Sequence, residues 1–175
     1  MNIYARMTSR KILVMMIYAC ITQQLCDRYD ELRDFRMDIV KSALTHLPES
    51  YRFPLFSDTA ATTALAEYMI VWFFNTEKNH QIDMHFITTV AKLRDEHIVA
   101  LIALINTHTT TFTLMQMDPM DQALLLAWGM EYIAHQTPRE VLINEMIEIA
   151  KRYGDETSPK LINGIGHKMI EQLAK

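Results

Sequence analysis

Glycine and proline are scarce, four and five in 175 residues. That is about 5% of the chain where roughly 12% is usual, so the many tight turns of a β-sandwich or barrel are missing. Cysteine is scarcer still. Cys20 and Cys26 cannot build a disulfide framework and form no C-x-x-C pair, which fits a reducing, cytoplasmic setting. The four glycines make no G-x-S-x-G, no G-x-G-x-x-G and no P-loop, so a nucleophile elbow and the glycine-rich phosphate cradles are excluded. Long apolar runs are lacking too. Ile12 to Ile21, behind Arg10 and Lys11, spans ten residues where a bilayer needs roughly 20. Tyr18 is bulky for the cleavage point of a secretory leader ending at Ala19-Cys20, so neither a membrane span nor a leader is expected.

What is present points to helices. Half of the residues are hydrophobic and 22% are charged, an ordinary globular balance, and the length suits one domain over 1–175. Thirteen methionines supply unbranched side chains that suit helices and fill gaps between them. Three helix starts are written as a capping residue followed by proline: Asp118-Pro119, Thr137-Pro138 with Glu140 as a capping box, and Ser158-Pro159. Leu142, Met146, Ile149 and Tyr153 then form an apolar stripe, and Gly154 suits a left-handed helix end. The pattern predicts seven helices, near 9–26, 28–47, 58–76, 82–105, 119–135, 138–153 and 159–174. Pro48 and Pro54 divide them into a front subdomain of about 1–56 and a back subdomain of about 57–175.

Metal chemistry finds little support. A di-iron bundle needs two Glu-x-x-His pairs, whereas Glu77-Lys-Asn-His80 stands alone and His85 lies off its face. No metal, cofactor or catalytic activity is expected. Charge is distributed unevenly instead. Residues 1–26 carry three bases and no acid, residues 150–175 five bases and three acids, and the middle nine bases and eighteen acids. If the ends meet, they form a basic patch for a polyanion; otherwise they are scattered solvated faces. Arg10 and Lys11 open an apolar helix whose first amides are unpaired, a favourable place for phosphate. Between the last two helices, Tyr153, Thr157, Ser158 and Lys160 offer a ring, hydroxyls and a cation, the mixture used to hold single-stranded RNA. Tyr153 also fits a plain core position.

The stretch Val141-Leu-Ile-Asn-Glu-Met-Ile-Glu-Ile-Ala-Lys-Arg-Tyr-Gly154, continued by Ser158, Lys160 and Ile162-Asn-Gly-Ile165, resembles the C-terminal region of the NusB family of transcription antitermination factors. Met120-Asp-Gln-Ala-Leu-Leu-Leu-Ala resembles the preceding helix, and Ser9-Arg10-Lys11 to Ile17-Tyr18 resembles the first helix more weakly. The resemblance implies an all-α fold of about seven helices in two subdomains. It also implies binding of boxA-like single-stranded RNA in nascent rRNA transcripts with NusE, a ribosomal small-subunit protein, within an RNA polymerase antitermination complex. Under it Arg10 matches a basic first turn, with Arg6 and Lys11 beside it. Tyr153, Thr157, Ser158 and Lys160 fall on the RNA-contacting loop, and Asp121 falls on the NusE-facing helix. Leu161 stands where the family has phenylalanine, Thr157 where it has aspartate, and Gly166-His167 where it has Leu-Asp. The alternative is a helical protein-interaction module, or an RNA clamp acting in trans with an rRNA methyltransferase, with little RNA binding of its own.

Overall fold

The computed structural model describes residues 3–31, 62–63, 66 and 82–175. Among them are five α-helices, a short 3-10 turn and no strand: α1 (Ile3–Glu31), α2 (Met84–Thr107), the turn Leu114–Gln116, α3 (Pro119–His135), α4 (Arg139–Tyr153) and α5 (Ser158–Leu173). The all-α expectation holds. The helix expected over 58–76 is represented by Thr62, Thr63 and Ala66, which are helical, while most of the helix expected over 28–47 and the proposed division near residue 56 lie outside the described residues.

Helix α3 is the hub. Every residue from Met120 to Glu131 is buried, and α1, α2, α4 and α5 all pack against it. Most of its residues are apolar, on every side of the helix, and its buried Asp121, Gln122 and Glu131 are exceptions to that pattern. Its start is the expected one: the Asp118 carboxylate accepts from the Met120 amide at 2.8 Å, with Pro119 in the first turn. It ends where Gln136 takes a left-handed conformation at φ 49°.

The other two caps differ from the sequence reading. The Thr137 hydroxyl donates to Glu131 at 2.8 Å and makes no cap bond, so the capping box with Glu140 does not form. At α5 the capping side chain is Asp155, which accepts from the Thr157 and Ser158 amides at 2.7 and 2.8 Å. Gly154 is extended rather than left-handed, at φ −86°. It is needed for closeness, because a Cβ there would lie 2.6 Å from Ser158 Cβ and 2.8 Å from the Ala150 carbonyl.

Helix α1 starts six residues earlier than expected because its first turns are tied down. The Asp83 amide donates to Ser9 Oγ at 2.8 Å, and Arg6 Nε donates to the Asp83 carboxylate at 3.1 Å. Burial raises the Cys20 thiol to about 12, so it stays protonated at neutral pH.

Candidate nucleic-acid interface

Helices α1 and α5 both pack on α3, and neither lies face to face with the other. Arg10, expected to offer its guanidinium to phosphate, is turned inward and is only 5% exposed. Its Nε and Nη2 donate to the Glu131 carboxylate at 2.8–2.9 Å, and Nη1 lies 3.9 Å from Glu145. Glu131 is fully buried, so the fork of Arg10 serves as its counter-ion and joins α1 to α3. Arg6 pairs with Asp83 at 3.0 Å, and its guanidinium lies 4.5 Å from the centre of the Phe86 ring. Lys11 is half-buried and makes no side-chain ion pair among the described residues. The basic start of α1 is therefore largely spent on the interior, which charge counting could not reveal.

Asp121 is also buried, at 3% exposed, because the helix that carries it has no solvent face in its first three turns. Direct contact of this side chain with a partner is thus excluded in this conformation. Burial raises its pKa, opposed by the Ser158 hydroxyl, and its Oδ1 has no partner among the described residues. A carboxyl with a raised folded pKa favours the folded state most below its unfolded value, and that advantage is lost as pH rises through the folded value. Asp121→Asn is accordingly expected to raise stability at neutral pH and to flatten its dependence across the mildly acidic range. Urea melts at several pH values check this, and an unchanged pH profile would contradict it.

The loop between α4 and α5 splits the remaining candidates. Ser158 is fully buried, with its hydroxyl accepting from the Asp155 amide at 3.0 Å, so it shapes the loop rather than facing a ligand. The amides of Thr157 and Ser158 are already taken by Asp155, which leaves the start of α5 less open to an anion than expected. Hydrogen bonds from the Thr157 hydroxyl and from the Ser158 and Thr157 amides lower the Asp155 pKa, so the carboxylate stays charged. Tyr153 is half-buried against the core, with the Arg152 guanidinium 5.4 Å from its ring centre.

Thr157 and Lys160 remain exposed, and they belong to something larger. Thr157, Lys160, Leu161, Gly164, Ile165 and Lys168 follow helical spacing and form one face of α5. Across from it stand His108 and Phe112, and the two sides border a shallow, open groove of about 540 Å³. Neither lysine has a side-chain partner among the described residues, and no acid lines the groove. His108, Phe112 and Lys168 were missed from sequence. The i, i+4, i+8 spacing of Lys160, Gly164 and Lys168 was readable, but the approach of residues 108–112 to this face was not. No group of His, Cys, Asp and Glu among the described residues could hold a metal ion, and no described helix is long and apolar enough to cross a membrane.

Comparison with known proteins bears on the family of the chain. The NusB family profile matches residues 50–171. The transcription antitermination protein NusB of Fervidobacterium nodosum is 31% identical over 128 residues, covering 63% of this chain and 88% of that protein. The protein of the same name from Clostridium tetani is 30% identical over 94 residues, 53% of this chain and 61% of that one. That of Desulfitobacterium hafniense strain Y51 is 45% identical over 65 residues, covering 37% and 44%. In three dimensions the chain is similar to T. maritima NusB, with a TM-score of 0.50, 21% identity and coverage of 93% of this chain and 91% of that one, a likeness of fold. With the family profile spanning well over half of its length, this chain belongs to the NusB family.

Proposed function

We propose that this protein is an RNA-binding transcription antitermination factor. Together with a NusE-type ribosomal small-subunit protein, it takes up boxA-like single-stranded RNA in nascent rRNA transcripts, in the cytoplasm, as part of an RNA polymerase antitermination complex. It acts by binding and is not an enzyme. The observation that carries this reading is the groove beside the α4–α5 loop, where Lys160 and Lys168 stand exposed over an apolar floor with no acid among its walls. Unpaired ammonium groups over apolar surface suit a ligand that alternates phosphate with flat bases. Thr157 adds a hydroxyl at the rim, and Tyr153 and Ser158 hold the loop in shape from beneath. Lys11, on α1, does not line this groove, and its role in the reading is to add positive charge to the molecule's field.

Fluorescence anisotropy with a labelled boxA-like RNA, with and without the ribosomal partner, tests the reading. Lys160→Glu is expected to weaken binding by about tenfold or more at low salt. Lys160→Ala should also reduce the slope of log affinity against log salt by about 0.7, the loss of one single-strand phosphate contact. Parent protein that binds no RNA even beside the ribosomal partner would overturn the reading.

A further inference from the structure

We infer that the groove holds a nucleobase stacked on Phe112, with the flanking phosphates on Lys160 and Lys168; this rests on the RNA-binding reading above. Phe112 lies in the loop between α2 and the 3-10 turn, and its ring is 38% exposed on the groove wall. The loop is held in place, because Asn106 Oδ1 accepts from the Leu114 amide at 2.7 Å and Gln116 Oε1 from the Thr113 amide at 2.9 Å. An aromatic ring kept in water on a fixed loop is a ready stacking platform, and it loses little freedom when a base covers it.

Opposite the ring the groove has room. A Cβ built on Gly164 would meet no atom within 4 Å, so the middle of the α5 face is open space flanked by Leu161 and Ile165. Lys160 and Lys168 lie eight residues apart, about 12 Å along the helix axis, one on either side of that opening. At the inner wall stands His108, whose Nε2 is shielded from solvent and so is not presented to a ligand in the groove. Flat ring, gap and flanking cations together fit one nucleotide of a single strand better than an apolar peptide, which would leave both ammonium groups unmatched.

The test uses the full chain and a short fluorescein-labelled boxA-like RNA. Phe112→Ala is expected to weaken binding by about fivefold to a hundredfold, the span that loss of one stacked base gives. Its salt slope should stay at the parent's, since no phosphate contact is lost, and Phe112→Tyr should recover affinity. Gly164→Leu gives a second variant that removes helical glycine and fills the opening without meeting the core. It should keep or raise the melting temperature and lose RNA. Three results would overturn the inference. If Phe112→Ala and Gly164→Leu bind as the parent does while Lys160→Ala binds weakly, stacking fails and the RNA-binding reading stands. If the parent binds no RNA, both fall. If Phe112→Ala weakens only the association with the ribosomal protein, the groove is a protein-docking site.

Discussion

Arg10→Ala is expected to destabilise the protein by about 3–5 kcal/mol, the range for leaving one member of a buried ion pair without its partner. Glu131 is fully buried, and its carboxylate takes three hydrogen bonds from Arg10 and one from Thr137. Removing the guanidinium strands a negative charge among α1, α3 and α4. Arg10→Lys is expected to recover little, because one ammonium cannot reproduce the fork that meets both carboxylate oxygens. Joint replacement, Arg10→Met with Glu131→Leu, should return much of the lost stability because no charge is then left buried. Urea unfolding followed by circular dichroism measures all three. A parent-like midpoint for Arg10→Ala together with weakened RNA binding would mean that Arg10 meets phosphate at the surface after all.

The second large effect is expected at Gly166. Its Cα faces the Trp128 indole so closely that an added methyl group would overlap Cζ3 and Cη2 of the ring and lie 2.7 Å from Cε3. Trp128 is fully buried on α3, and Gly166 is buried on α5. Overpacking at such a contact costs about 1–3 kcal/mol, so Gly166→Ala should lower the melting temperature clearly, and Gly166→Leu more so. A smaller partner should relieve the clash. In a Trp128→Leu background the added cost of Gly166→Ala is expected to fall close to zero, a coupling that a double-mutant cycle reads directly. Equal penalties in both backgrounds would show that the two residues do not constrain each other.

How far the sequence alone reached can be seen at individual residues. The start of α3 was readable because Asp118-Pro119 acts locally, on an amide two residues away. Thr137 has the same local signature, yet its hydroxyl turns to Glu131, whose need for donors arises from burial on α3, a long-range packing that also brings Arg10 from 121 residues away. The inward turn of Arg10 was hidden for the same reason: a charge count cannot say which cation is matched by a distant buried acid. Lys160 and Thr157 kept their exposure because the α4–α5 connection is set by neighbours in sequence, namely Asp155, Ser158 and Gly154. Phe112 and His108 were out of reach, since their place in the groove depends on how α2 and α5 approach one another across α3.

The enclosure of α3 has a consequence for how the molecule comes apart. Backbone amides from Ala123 to Met130 are screened by four neighbouring helices, so none of them can exchange hydrogen with solvent through fraying of a single surface turn. They should be the last to exchange, at a rate set by global opening. Detachment of α1 would lay bare one whole side of this rod, which couples the N-terminal segment to the C-terminal half in one cooperative step.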